Sequence, residues 1–189
     1  TSDGGASWKA RRGFKFKGLQ DFAVRGNLIV AIGGKSVVYS IDGGTTFREA
    51  QLPKKIGKIA ATHISGDGSV YAVGKKGTIL KATGNLTTWL PLYTYPKNKT
   101  KYVGIYEVNG VLYAVGMKGE IDRSDNKGAR WQIIPSGVKT PVLKMTGEGT
   151  TVVAVARSGK RQGNLLLRSN NGGLRFFVQR EVSTTLRPH

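Results

Sequence analysis

Cysteine is absent from the 189-residue chain, which excludes disulfide bonds and thiolate metal sites and fits a reducing compartment or a virion interior. Histidine occurs only at His63 and His189, too sparsely for an imidazole metal site or a Ser-His-Asp arrangement, so no metal or cofactor is expected. No apolar run approaches the ~20 residues that cross a bilayer as a helix. No segment keeps a helical apolar period long enough for an amphipathic helix. No secretory leader pattern is visible and the first residue is not Met, which reads as a processed product or the ordered part of something longer. Acidic residues are scarce, with 11 Asp+Glu against 30 Lys+Arg and a formal charge of +19. Few carboxylates leave little material for general acid–base chemistry. The cationic excess predicts attraction to a polyanion, nucleic acid foremost, or to an acidic protein surface.

What the chain has in quantity is repetition. The stretches TSDGGASW, SIDGGTTF, ATGNLTTW, SDNKGARW and SNNGGLRF start at residues 1, 40, 82, 124 and 169, a period of about 40 to 45 residues. A second set, LIVAIGGKS, VYAVGKKGT, LYAVGMKGE and VVAVARSGK, aligns on Ala31, Ala72, Ala114 and Ala154 and keeps the same period. Between these anchors, short β-branched runs alternate with Gly, Asn and Asp turn signals. Each repeat reads as strand A, strand B, a basic glycine turn, strand C, the opening stretch and strand D. The expected fold is therefore all-β: a β-propeller of four-stranded antiparallel blades.

The residue types in the opening stretch suit a tight reversal. Asp or Asn at its third position can accept N–H groups within the turn. Gly at the fifth permits a positive φ, and the closing aromatic starts strand D against its neighbours. The pattern resembles the Asp-box, or BNR, repeat of sialidases, sortilin-type receptors and photosystem II assembly-factor-like propellers, and the resemblance spans the chain. The structural box residues it implies are Asp3, Gly5 and Trp8; Asp42, Gly44 and Phe47; Trp89; Asn126, Gly128 and Trp131; and Asn171, Gly173 and Phe176. The third copy keeps only Thr88 and Trp89, so its turn is in question. In the fourth and fifth, Asn replaces Asp and Arg130 and Arg175 replace the hydroxyl residue.

One Asp-box domain is expected over residues 1–189, with a partial repeat at 1–13 and full repeats at 14–52, 56–95, 101–135 and 141–182. An extra strand D without partners suggests a segment of a larger propeller, completed by further chain segments or subunits; four closed blades with one strand left over is the alternative.

Sialidase chemistry is the enzymatic expectation that the resemblance raises, and the residues oppose it. The Arg-x-Pro element appears only as LRP at 186–188, at the wrong end, and paired catalytic carboxylates are lacking; Glu120 and Asp122 read instead as a solvated pair answering Lys118 and Arg123. GGKS at 33–36 lacks the first glycine of a phosphate-binding loop. A non-enzyme is expected.

In such a blade the B–C turns and the D–A links share one end. The turns hold Lys35, Lys75, Lys76, Lys118, Arg157, Lys160 and Arg161. The links hold Lys54, Lys55, Lys97, Lys99 and Lys101, together with Arg11, Arg12, Lys15, Lys17, Lys58, Lys139 and Lys144. Only Glu120 borders this set. The expectation is a basic face that binds a polyanion, as in a virion protein packed beside nucleic acid, or else an assembly scaffold docking on an acidic partner. A glycan-binding lectin fits less well, because the repeated turns carry Lys and Gly rather than aromatics.

Overall fold

The computed structural model describes residues 4–8, 18–82, 84, 86–92, 99–159 and 163–179. Among them no helix occurs, and the β-branched runs form four four-stranded sheets. The first contains β1 (Asp21–Arg25), β2 (Leu28–Gly33), β3 (Ser36–Ser40) and β4 (Arg48–Glu49). The second contains β5 (Ile59–Ile64), β6 (Val70–Gly74), β7 (Ile79–Ala82) and β8 (Leu90–Leu92). The third contains β9 (Tyr102–Val108), β10 (Val111–Gly116), β11 (Ile121–Ser124) and β12 (Gln132–Ile134). The fourth contains β13 (Val142–Glu148), β14 (Thr151–Arg157), β15 (Asn164–Ser169) and β16 (Phe177–Val178). Strands pair antiparallel in chain order within each sheet.

The alanine anchors mark one structural register. Ala31 pairs with Phe22 and Val38, Ala72 with Thr62 and Leu80, Ala114 with Ile105 and Asp122, and Ala154 with Met145 and Leu167. First strands of successive sheets lie side by side, β1 on β5, β5 on β9 and β9 on β13. The sheets thus stack face to face as blades around an inner row of first strands. Apolar side chains fill each junction: Val30, Tyr39 and Val70 in the first, Tyr71, Ile105 and Leu112 in the second, Tyr113, Val152 and Leu167 in the third. A middle blade is covered on both faces, so every residue of β6 is buried, whereas β14 alternates buried and half-buried positions.

The boxes are hydrogen-bonded devices built on their first residue as well as their third. Ser40 Oγ accepts from Gly44 N (2.8 Å) and donates to Asp42 Oδ1 (2.7 Å), and Asp42 accepts from Thr46 N (2.9 Å). Ser124 and Ser169 repeat this with Gly128 N and Gly173 N, and Asn126 and Asn171 accept from Arg130 N and Arg175 N. Asn keeps the acceptor oxygen that the turn needs, which explains why the Asp is replaceable. The positive φ of Gly44 (86°), Gly128 (83°) and Gly173 (74°) is the conformation that glycine tolerates without strain. In the third stretch Trp89 Nε1 donates to Leu86 O (3.1 Å) as Trp131 does to Gly128 O (3.0 Å), so its closing aromatic is held alike.

Four expectations are corrected. Trp8 is 79% exposed and does not bury as the box aromatics Trp89, Trp131 and Phe176 do, although its Nε1 still reaches Gly5 O. Asp122 is buried, not solvated: it takes the register position of Val38, Leu80 and Leu167 and accepts a hydrogen bond from the Tyr102 hydroxyl. Arg123 pairs with Asp125 instead (2.8 Å). Lys144 belongs to β13 and lines the axial groove rather than a blade link. Asp3 lies outside the described residues.

Candidate binding face

The B–C turns are joined to the D–A links by backbone hydrogen bonds at one end of the stack. Gly34 O accepts from Ile59 N (2.7 Å), Lys58 O from Lys75 N (2.9 Å) and Thr100 O from Gly77 N (2.8 Å). Lys101 O accepts from Met117 N (3.1 Å) and Pro141 O from Arg157 N (2.9 Å). Thr78 Oγ1 ties the second blade further, accepting from Gly57 N (2.8 Å) and donating to Lys75 O (2.7 Å). At Gly57 the link passes so close that a Cβ would strike the Lys75 carbonyl, which explains a glycine there. These contacts hold turn and link backbones rigidly while their long cationic side chains project outward.

Lys35, Lys75, Lys76, Lys118 and Arg157 on the turns are all exposed, as are Lys54, Lys55, Lys58, Lys99, Lys101 and Lys139 on the links. Lys97, Lys160 and Arg161 lie outside the described residues, as do Arg11, Arg12, Lys15 and Lys17. The three ion pairs among the described residues, His63–Glu107, Arg123–Asp125 and Lys127–Asp67, use none of these cations. Glu120, the one acid beside them, turns its Oε2 onto Lys118 N (2.6 Å). The result is a concentration of like charge whose repulsion opposes the fold. Tyr102 is fully buried and offers no ring for stacking at this end.

A second feature lies along the inner strands: a groove of about 450 Å³ lined by Asp21, Thr62, His63, Tyr106 and Lys144 among others. Its polar groups are largely engaged by the protein itself. Asp21 Oδ2 accepts from Thr62 N (2.9 Å), His63 Nε2 meets Glu107 Oε2 (2.9 Å) and the Tyr106 hydroxyl donates to Leu143 O (2.8 Å). Burial, with the Asp21 charge second, pushes the Tyr106 phenol up from its usual value. The sequence reading missed this cluster: strand period assigns His63 and Glu107 to first strands but does not say that they meet across a junction. Among the described residues no group of three His, Asp or Glu side chains is placed to hold a metal, and no helix is long and apolar enough to cross a membrane.

No family model matches the sequence, and no curated protein matches it. Solved structures do. YCF48 from Cyanidioschyzon merolae superposes with a TM-score of 0.69 at 14% identity, over 95% of this chain and 65% of that one. YCF48 bound to D1 peptide gives 0.71 at 19%, over 98% and 61%. The catalytically inactive virginiamycin B lyase from Staphylococcus aureus with quinupristin gives 0.70 at 19%, over 88% and 57%. The chain is a β-propeller. At these identities the likeness is one of fold, and it agrees with the Asp-box resemblance to assembly-factor-like propellers. The propeller described here spans less than two-thirds of each of these chains.

Proposed function

We propose that the propeller is a non-catalytic scaffold that docks an acidic segment of a partner protein on its lysine-rich end. The carrying observation is that turns from successive blades, stitched by backbone bonds to the neighbouring links, bring Lys35, Lys75, Lys76, Lys118 and Arg157 to one end with no ion pair to an acidic side chain among the described residues. Carboxylates presented in an extended peptide would neutralise that charge and gain charge-assisted hydrogen bonds. A propeller of similar fold holding a peptide, YCF48 bound to D1 peptide, supports a protein partner. Binding rather than catalysis fits the axial groove, whose His63 is already bonded to Glu107 and whose Asp21 is already bonded to Thr62 N. The net charge of +19 favours a second reading, a nucleic-acid backbone as the polyanion.

The test is titration of the protein with an acidic peptide, an uncharged peptide and random duplex DNA at several salt concentrations. A scaffold for acidic protein segments binds the acidic peptide at physiological salt. Combined Lys75→Glu, Lys76→Glu and Lys118→Glu substitution weakens that binding by about 100-fold or more, each reversed charge costing roughly 1 kcal/mol. Tighter binding to DNA with a steep salt slope selects the nucleic-acid reading. Binding unaffected by the reversals rejects the face for either partner.

A further inference from the structure

Two of the blade junctions share a latch, and the first and fourth blades expose its acceptor and donor positions. Between the second and third blades, the Tyr71 hydroxyl and Lys81 Nζ both donate to Lys127 O, at 3.0 and 3.2 Å. Between the third and fourth, the Tyr113 hydroxyl and Arg123 Nε donate to Gly172 O, at 2.9 and 3.0 Å. Lys127 and Gly172 are the fourth residues of their boxes, held at φ 57° and 67° with the carbonyl turned to the preceding blade. At the first junction Tyr39, at the strand position of Lys81 and Arg123, meets the Thr87 hydroxyl instead (3.0 Å), a side-chain contact to the sixth residue of its box.

On the fourth blade the donor side is open, with Arg168 as its donor and Val153 where Tyr71 and Tyr113 stand. Arg168 stands at the position of Tyr39, Lys81 and Arg123, exposed, with its Nε on Asn170 Oδ1 (2.9 Å). Beside it Leu166 is 42% exposed, whereas Val37, Ile79 and Ile121 at the same position of the other blades are 0%, 1% and 0% exposed. On the first blade the acceptor side is open. Gly43, the fourth box residue at φ 67°, has a carbonyl that no described donor reaches. Phe22 is 61% exposed where its counterparts Thr62, Ile105 and Met145 are 7%, 4% and 5%.

We infer that the outer face of the fourth blade docks on the outer face of the first blade of a second copy. Arg168 then donates to Gly43 O across the contact, and Leu166 covers Phe22. The two faces are the two sides of the junction that the chain already packs three times, so one copy supplies what the other exposes. The contact is heterologous, and two copies joined by two such contacts would close a ring. The inference is independent of what the basic end binds. Salt tells the two apart: two copies of a strongly cationic chain repel, so added salt tightens this association while it weakens polyanion binding.

The experiment is sedimentation equilibrium from low to high micromolar protein, at low and high salt. The native sequence is expected at twice the mass of one chain, more completely at high salt. Leu166→Asp and Phe22→Asp each disable one face and shift the dissociation constant by about 10-fold or more. Mixing the two variants leaves one intact contact, donor face from one copy and acceptor face from the other, and restores a pair. A variant that merely unfolds cannot be restored by mixing. A native chain of single mass at high salt and high concentration overturns the inference, as does unchanged mass in both variants.

Discussion

At the scale of the residue, Asp122 is the group whose surroundings and type disagree most. It is 1% exposed, its Oδ1 has no hydrogen-bond partner among the described residues, and its Oδ2 accepts from the Tyr102 hydroxyl. Burial pushes its carboxyl up from 3.8 to about 6, against the Tyr102 hydrogen bond and with the Glu120 charge. The sign follows from proton binding: between those two values the folded chain holds a proton that the unfolded chain has released. Stability therefore falls as pH rises from 3.8 to about 6 and is level above, by roughly 3 kcal/mol for this group. Asp42 and Asp67 act oppositely: the Thr46 hydroxyl and amide hold the first well below the usual carboxylate range, Lys127 holds the second there, and both contributions are lost as pH falls below 3.8. Thermal melts across the acid range should thus peak between about 4 and 5. Asp122→Leu, which installs the side chain found at Leu80 and Leu167, should raise the melting temperature at neutral pH and remove the decline; a variant less stable than the native chain at pH 7 contradicts this reading. None of this is legible in the sequence, where Asp122 reads as one member of a charged pair, because strand alternation assigns a face without saying that a neighbouring blade seals it.

At the scale of the element, the box is the unit most legible in advance, and its logic is now finer than its consensus. The third-position acceptor and fifth-position glycine are foreseeable from turn chemistry. The first-position serine is not, since its Oγ faces inward to a glycine N–H that only the folded turn brings near. Ser124→Ala strands the buried Gly128 N–H and should cost about 1–3 kcal/mol in urea unfolding. Asp42→Asn, by contrast, retains the acceptor used at Asn126 and Asn171 and should cost less than about 1 kcal/mol. A Ser124→Ala loss below about 0.5 kcal/mol would show that the serine bond is dispensable. Gly173→Ala tests the latch: at φ 74° a Cβ there would press on the Tyr113 hydroxyl, so the cost should exceed the ~1 kcal/mol of backbone strain alone. The latch tyrosines themselves escape a sequence reading, since Tyr71 and Tyr113 look like ordinary strand aromatics until the next blade's box is in place.

At the scale of the whole molecule, the lysine-rich end sets stability against binding. The topology that gathers the turns and links was foreseeable, because strand alternation alone sends B–C turns and D–A links to one end; the backbone bonds that stitch them together were not. Cations crowded there repel one another through water, an energy that salt screens and an acidic partner cancels. A chain evolved only for solubility has no reason to keep that crowding on one end of every repeat. The consequence is a pair of opposed effects from one substitution. Lys75→Glu with Lys76→Glu should raise the melting temperature at low salt by relieving repulsion, while weakening capture of an acidic peptide. Raising salt should stabilise the native chain more than the variant, because the variant has less repulsion to screen. Melting curves with and without acidic peptide, at low and high salt, read all of these differences together. If the reversal destabilises the free protein, those lysines are held by folded-state contacts and the end is a structural surface rather than a docking face. If it stabilises the free protein and abolishes the peptide-induced shift, the repulsion is the energetic cost of a site that awaits its partner.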